Sequence, residues 1–207
     1  ENIKEILNKG YLGKIYAWQY QSGQYLPDWH PWEKIEDFYV SQKETGGCRE
    51  IVPFELCWLT HTFGPIINIK AHQNQLGKLG VGIDDIYLLQ IQHSKGIFGQ
   101  LLVDILSRVP IRHMRITAEK GNLIWDGFAN EIKLYTIEQS KWETISLTKG
   151  TLADQYINPE EPYQKEIQFF LDCVKEKKQP NYTLEDDRAI LKLLYLAEKN
   201  AKQTIEI

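Results

Sequence analysis

The stretch DIYLLQIQHSKGIFGQLLVDILSRVPIRHMRITAEKGNLIWDG, residues 85–127, determines the fold class of this chain. It consists of short runs rich in Ile, Leu, Tyr and Trp, and Gly, Asn, Asp or Lys separates many of them. HSKG at 93–96 and EKGN at 119–122 are predicted hairpin turns, because glycine adopts the positive φ angles that tight turns need. Short strands joined by tight turns predict an antiparallel sheet.

Runs of the same kind extend this sheet in both directions along the chain. IINIKAHQNQ at 66–75 precedes the stretch, and NEIKLYTI at 130–137 and KWETISL at 141–147 follow it. GIFGQLLVDILS at 96–107 is interpreted as a single strand. Far upstream, KIYAWQYQ at 14–21 predicts one more strand between Gly13 and Gly23, and TIEI at 204–207 predicts a closing one.

Helical patterns lie mainly outside the strand region. Residues 1–9 predict a short amphipathic helix that Gly10 ends, and residues 33–39 predict a short helical piece. CREIVPFELCWLTHTF at 48–63 predicts a longer helix, in which Pro53 marks a kink or the first turn. Its apolar residues at helical spacing are Ile51, Phe54, Cys57 and Trp58.

The last quarter of the chain predicts two further helices, which Pro180 separates. The first has apolar residues at 163, 167, 170, 171 and 174, a helical period. In the second, Thr183 is followed three residues later by Asp186, a variant of the capping box.

Strands segregated from helices indicate an α+β fold, an open and mostly antiparallel sheet of about six to nine strands with helices on one face. DIYLLQIQ and GQLLVDIL carry apolar residues on both alternations, so both faces of the sheet are expected to be covered. We therefore expect the open face to pair with a second copy of the chain in a homodimer or homotetramer.

Composition excludes several classes of protein. With 207 residues and 12% aromatic residues the chain can form a substantial core, and no run reaches the roughly 18 apolar residues of a membrane span. A net charge of −4, without a basic excess, argues against a nucleic-acid partner, and the one dense basic cluster, at 175–178, is typical of a helix C-terminus. Three cysteines without metal-like spacing favour a reducing compartment, the cytoplasm. Because no Met begins the chain, we expect a piece of a longer protein.

No self-contained catalytic or metal-binding motif is present. The sequence lacks a P-loop, a G-x-S-x-G elbow, an H-E-x-x-H helix and a G-x-G-x-x-G turn after a strand. None of the five histidines stands at ligand spacing from another histidine or a cysteine, so no metal site is expected; they are His30, His61, His72, His93 and His113.

The region most similar to a binding site is 18–58, which contains the aromatic loop QYLPDWHPW at 24–32. Aromatic faces with a few polar groups suit a sugar-like ligand. The alternative is that these rings only anchor the loop to the core.

One motif resembles a known family. GGCREIVPFELCWL, residues 46–59, resembles the GG-x(3)-D-x(3)-H-E-x-D motif in the C-terminal domain of the glucose–fructose oxidoreductase / inositol dehydrogenase / rhizopine-catabolism (Gfo/Idh/MocA) family. KEILNKGYLGKI, the 24–32 loop with YVSQKETGG, and the closing helix pair resemble other parts of that domain, in order. The family consists of NAD(P)-dependent oxidoreductases that act mainly on sugars and cyclitols.

The resemblance implies that residues 1–207 are a substrate-binding and oligomerisation domain, whereas the N-terminal Rossmann domain of the parent lies outside this chain. NAD or NADP then belongs to the parent, and the chain alone is expected to bind neither and to be inactive. The implied substrate-binding residues are Trp18, Tyr25, Trp29, His30, Tyr39, Arg49 and Phe54.

Two departures from the family motif concern the chemistry. Glu50 stands for the usual Asp, and Phe54, which cannot transfer a proton, stands for the usual His. Glu50 is the implied catalytic carboxylate, four residues from Phe54 on one helix face, with the 24–32 loop expected over the same pocket. Tyr25, His30 and Tyr39 are further candidates for the acid or base.

Two alternatives to an enzyme remain open. The parent is a scaffold that has kept the fold without the reaction, or this domain is a free-standing carbohydrate-binding module. A separate alternative to the assigned site is that Phe54 is part of the core and Glu50 is an exposed residue in the first turn of the helix.

Overall fold

The computed structural model describes residues 2–148, 150 and 161–201. The helices are α1 (Asn2–Asn8), α2 (Cys48–Phe63), α3 (Glu161–Glu176) and α4 (Leu184–Ala201). The strands are β1 (Ile15–Tyr25), β2 (Ile66–Asn74), β3 (Ile86–His93), β4 (Phe98–Asp104), β5 (Leu106–Ala118), β6 (Gly121–Asp126), β7 (Glu131–Thr136) and β8 (Lys141–Ser146). The predicted closing strand at 204–207 lies outside the described residues.

The strands form one open sheet in the order β2-β3-β4-β1-β5-β6-β7-β8. All neighbouring strands are antiparallel except β1 and β4, which run parallel. The predicted α+β class is therefore confirmed, and eight strands fall within the expected range. The most N-terminal strand lies in the middle of the sheet, so its pairing partners come from much later in the chain.

Two strand boundaries differ from the prediction. β1 continues to Tyr25, and the run 96–107 belongs to two strands that do not pair with each other. The chain turns between them because Asp104 Oδ1 accepts hydrogen bonds from the backbone N–H groups of Leu106 and Ser107, over 3.1 and 2.7 Å. Pro110 lies inside β5, opposite the register shift between Gly23 and Tyr25 of β1. Because the strands do not pair regularly there, the missing N–H group of the proline costs no hydrogen bond between them.

Helix α2 packs on one face of the sheet, but not through the stripe that the sequence indicated. Its buried apolar residues follow a different helical spacing: Cys48, Val52, Leu56, Leu59 and Phe63. Phe54 is 69% exposed, and the helix continues through Pro53, its sixth residue, so Pro53 does not mark the first turn. The helix begins directly after Gly47, whose φ of 61° is one that glycine tolerates best.

The expected helical piece at 33–39 takes a tighter form. Two 3-10 turns occupy Ile35–Asp37 and Tyr39–Ser41, and a third, Leu26–Asp28, lies in the aromatic loop. The loop thus crosses the surface as a series of single turns, which leaves its side chains in varied directions.

The two C-terminal helices differ in burial. Helix α4 packs on β2 and α2 through Ile190, Leu194 and Ala197. Its capping box is confirmed: Thr183 N donates to Asp186 Oδ2 over 2.8 Å, and Asp186 N donates to Thr183 Oγ1 over 3.3 Å. Helix α3 has no buried residue. None of the described helices is long and apolar enough to cross a bilayer.

The second face of the sheet is more polar than expected. Register places Gln90, Gln100 and Gln19 side by side on β3, β4 and β1, on the face away from α2. Apolar residues do occur on this alternation, as Leu88 and Leu102, but they lie next to the amides of Gln90 and Gln100. A groove of about 430 Å³ runs over this face.

Candidate functional site

The aromatic loop does not form one pocket with Phe54. The guanidinium carbon of Arg108 lies 3.6 Å from the centre of the Tyr25 ring. His30 packs on Phe38, with their ring centres 4.2 Å apart. Trp29 packs partly against the core. No residue of 24–32 lines the cavity that Phe54 borders, so the expected closure of this loop over that cavity is not observed.

Glu50 and Tyr39 contact each other, as members of the predicted site. Tyr39 Oη donates a hydrogen bond to Glu50 Oε1 over 2.6 Å. Partial burial and this carboxylate raise the pKa of Tyr39 to about 12. Glu50 does not line the cavity beside Phe54, although the two residues are four apart on α2; its carboxylate bonds Tyr39 of the preceding loop instead.

Arg49 and Trp18 both have structural partners. Arg49 Nε donates to Glu198 Oε1 of α4 over 2.7 Å, and its guanidinium lies 5.3 Å from the Tyr195 ring centre. Trp18 is 1% exposed and stacks on Phe63 of α2, with ring centres 5.5 Å apart. Of the predicted substrate-binding residues, only Phe54 lines the cavity described next.

A cavity of about 340 Å³ lies between α1, α2 and the sheet. Its aromatic wall comes from α2 and from two strands: Tyr20, Phe54, Trp58 and Trp125. Tyr20 meets Trp58 edge-on at 5.2 Å between ring centres, and Trp125 lies 5.9 Å from Tyr20. The polar lining includes Lys4, Glu55, His61 and Arg112. Flat apolar faces beside a few charged groups suit a small polyhydroxyl ligand.

Glu55 is the carboxylate of this cavity. It is only 3% exposed, and Trp58 Nε1 donates to its Oε2 over 2.5 Å. Arg112 Nη2 lies 3.9 Å from its Oε1. Burial, and then the negative charge of Glu55, raise the pKa of Tyr20 well above its ordinary value, so Tyr20 remains a neutral hydroxyl donor.

Glu55 is not among the predicted site residues, because the apolar spacing of α2 indicated a different buried stripe. With Val52, Leu56, Leu59 and Phe63 on the sheet, Glu55 flanks the stripe and reaches the cavity. The carboxylate that α2 places beside Phe54 is therefore Glu55, and not Glu50 as expected. Arg112 and Trp125 carried no local signal, since β5 and β6 bring them to the cavity from distant parts of the chain.

No metal-binding group is apparent in the described ranges. There, no three residues of the types His, Cys, Asp or Glu lie close enough together to hold an ion. His93, for example, is held in the core, where its Nδ1 pairs with the Gly64 carbonyl over 2.7 Å and its Nε2 accepts from Trp18 Nε1 over 3.2 Å.

Similar folds occur in solved oxidoreductases. An oxidoreductase from Agrobacterium radiobacter in complex with NAD+, L-tartaric acid and magnesium is 13% identical to this chain, with a TM-score of 0.81. The match covers 98% of this chain and 59% of the oxidoreductase. Levoglucosan dehydrogenase in complex with NADH and levoglucosan is 13% identical, with a TM-score of 0.77, and the match covers 97% of this chain and 60% of the dehydrogenase. UDP-N-acetylglucosamine 3-dehydrogenase from Acidithiobacillus ferrooxidans is 14% identical, with a TM-score of 0.68 over 96% and 57%.

Identities this low establish the fold alone. The chain spans about three fifths of the length of these structures. No curated protein sequence matches this chain. The sequence profile of the GFO/IDH/MocA C-terminal domain matches residues 1–124, more than half of the chain. Together with the eight-stranded sheet, this match establishes that the chain belongs to the GFO/IDH/MocA family of oxidoreductases and corresponds to its C-terminal domain.

Proposed function

We propose that this chain is the substrate-binding domain of an NAD(P)-dependent oxidoreductase that acts on a sugar, a cyclitol or a sugar derivative. The observation that carries the proposal is the buried Glu55 carboxylate in a cavity walled by Tyr20, Trp58 and Trp125. Aromatic faces bind the C–H faces of a sugar ring, and a buried carboxylate accepts hydrogen bonds from its hydroxyl groups.

The reaction needs a proton acceptor, and we propose that this domain supplies it. When the dinucleotide is bound, it supplies hydride chemistry at the carbinol carbon, and the hydroxyl proton must go to a protein group. Phe54 borders the cavity but has no titratable atom. Glu55 is the carboxylate that lines the cavity, and we assign it the role of orienting the hydroxyl group and receiving its proton.

Glu50 remains a second candidate for this role. Its Oε2 is buried without a hydrogen-bond partner in the described part of the chain, while Tyr39 occupies Oε1. A ligand bound on the side of α2 that faces the loop would contact Glu50, Tyr39 and the 24–32 loop. Substitution of each glutamate separately distinguishes the two sites.

The dinucleotide itself is proposed to bind outside this chain. The described residues contain β1 followed by an irregular loop and not by a glycine-rich turn into a helix, so no pyrophosphate cradle is formed there. The complexes of NAD+ and NADH with the similar oxidoreductases support a nicotinamide dinucleotide for the parent protein.

We also propose a homodimer or homotetramer through the open sheet face. Gln19 Nε2 donates to Gln100 Oε1 over 3.4 Å, and the remaining amide groups of this row face outward. A flat row of amides on the face away from α2 and α4 suits pairing with the same row of a second copy. We further propose a reducing compartment, the cytoplasm, since Cys48, Cys57 and Cys173 are all free thiols.

Binding and turnover are tested separately. In an NMR titration of the 207-residue chain with glucose, myo-inositol and glucuronate, the indole N–H signals of Trp58 and Trp125 should shift, whereas that of Trp142 on β8 should not. Absence of any shift at millimolar ligand would contradict the proposed site. Shifts without NAD(P)-dependent oxidation in the parent protein would favour the alternative, a carbohydrate-binding or scaffold domain, which the Phe54 substitution of the family histidine also supports.

If the parent is active, Glu55→Gln should lower kcat strongly, whereas Glu50→Gln should leave it near the wild-type value. The reverse result would place the chemistry at the Tyr39–Glu50 pair. Gln replaces Glu with nearly the same shape, so the hydrogen bond from Trp58 can persist in the Glu55 variant.

A further inference from the structure

The cavity beside α2 contains more positive than negative side chains. Lys4 of α1 and Arg112 of β5 line it, whereas Glu55 is its carboxylate. Lys4 Nζ lies 2.8 Å from His61 Nε2 and forms a hydrogen bond with this imidazole. Two cations and one carboxylate leave an excess of one positive charge around the cavity.

Neither cation is hydrogen-bonded to a carboxylate among the described residues, although Arg112 forms a loose ion pair with Glu55. Lys4 makes no ion pair among the described residues, and its hydrogen bond is with the His61 imidazole. Arg112 Nη2 is 3.9 Å from Glu55 Oε1, which is beyond hydrogen-bond distance. A carboxylate that bonded this guanidinium fully would approach it to about 2.8 Å.

Arg112 also has an unused donor. Its Nε is buried and makes no hydrogen bond within the described part of the chain. A buried N–H group without an acceptor is unfavourable, and the planar guanidinium presents its donors in the fork that matches a carboxylate. This donor lies on a residue that lines the cavity, so an anionic group bound there could satisfy it.

We propose that the substrate is a sugar acid, a polyhydroxy carboxylate whose carboxyl group is bound by Arg112. This inference rests on the proposed function of the cavity. Lys4 at the rim adds attraction for the single negative charge, while Glu55 accepts a hydrogen bond from a hydroxyl group. One carboxylate balances the excess positive charge, whereas a phosphate would bring a second negative charge close to Glu55.

The test uses two matched pairs of probes, glucuronate with glucose and galacturonate with galactose, titrated calorimetrically into the 207-residue chain. At least one acid should bind at least tenfold more tightly than its neutral partner, and this preference should weaken as salt is added. Glucose 6-phosphate is included, and binding tighter than that of both acids would overturn the proposal.

Substitutions of the two cations show which residues cause the preference for the acid over the neutral sugar. Arg112→Gln should abolish the preference for the acid and keep weak binding of the neutral sugar, and Lys4→Gln should reduce it several-fold. Arg188→Gln removes the same charge from the exposed surface of α4 and should change nothing. If Arg112→Gln fails to fold, Lys4→Gln and the salt dependence decide, since Lys4 lies on the short surface helix α1.

The outcomes separate this inference from the proposed function. Equal binding of acid and neutral sugar, or an acid preference that survives in both variants, overturns the sugar-acid inference and leaves the sugar-binding cavity intact. Absence of binding by all probes overturns both.

Discussion

Arg49 Nε lies 2.7 Å from Glu198 Oε1, and this ion pair joins α2 to α4. Both side chains are about one fifth exposed, at 20% and 18%. The Arg49 guanidinium also donates to the Glu44 carbonyl and lies over the Tyr195 ring. Arg49 thus holds the C-terminal helix and the loop before α2 in one arrangement, which accounts for it without a ligand.

We expect Arg49→Gln and Glu198→Gln each to lower the free energy of unfolding by about 1–3 kcal/mol, because each leaves a mostly buried charge without its ion-pair partner. A double-mutant cycle measured by urea unfolding should give a coupling energy of about 1–2 kcal/mol. The matched control is the exposed pair Arg188–Glu185, for which about 0.5 kcal/mol or less is expected. Equal coupling in the two pairs would contradict this prediction.

The buried His93 should make stability depend on pH. Burial lowers the pKa of His93, although the hydrogen bond with the Gly64 carbonyl opposes this shift. The unfolded chain therefore binds a proton near pH 6.5 that the folded chain does not bind until lower pH. The contribution of His93 to the free energy of unfolding is therefore fully present above about pH 6.5 and should be lost as the pH falls below this value.

Denaturant unfolding between pH 7.5 and 5.5 measures this dependence. His93→Gln should flatten the decrease, and His113→Gln, which removes an imidazole from the exposed side of β5, should retain it. A His93→Gln chain with the wild-type slope would show that other groups cause the dependence.

Gly99 should not tolerate a side chain. A Cβ atom at this position would lie 2.1 Å from Cζ2 of Trp18, its register partner on the parallel strand β1. Because Trp18 is packed against Phe63 and cannot move freely, Gly99→Ala should cost about 3 kcal/mol of stability. Gly82→Ala, where a Cβ would meet nothing within 4 Å, should change stability by less than about 0.5 kcal/mol. Thermal unfolding of the two variants compares them directly.

A charge on the open sheet face should disrupt the proposed assembly. Gln100→Glu places a carboxylate between Gln19 and Gln90, and a two-fold interface would bring it near its copy. Light scattering at tens of micromolar should show a lower mass for this variant than for the wild type. Gln139→Glu, in the exposed turn between β7 and β8, should keep the wild-type mass. A wild-type chain that is monomeric at this concentration would contradict the assembly.

Local patterns predicted the sheet and the order of the helices well. The HSKG turn, the Thr183–Asp186 cap and the glycine pair before α2 are short-range signals, and all appear in the structure. The position of β1 was not predictable in this way, since its partners β4 and β5 are distant in sequence.

The candidate site could be predicted only in part. Phe54 was expected beside a cavity and lies there, but its neighbours in the cavity come from α1, β1, β5 and β6 as well as from α2. Whether a helix residue reaches such a cavity depends on which stripe the sheet buries. Both possible stripes of α2 are apolar, so spacing alone did not distinguish them.

The central position of β1 has a consequence for biosynthesis. Gln19 and Gln100, hydrogen-bonded neighbours on the sheet, are 81 residues apart in sequence. A growing chain therefore exposes both edges of β1 until β4 and β5 have left the ribosome, and helix α2 lacks the sheet face on which it packs. Nascent chains that stop before β5 are expected to be the aggregation-prone species, and chaperones that bind unpaired strands would act in this interval.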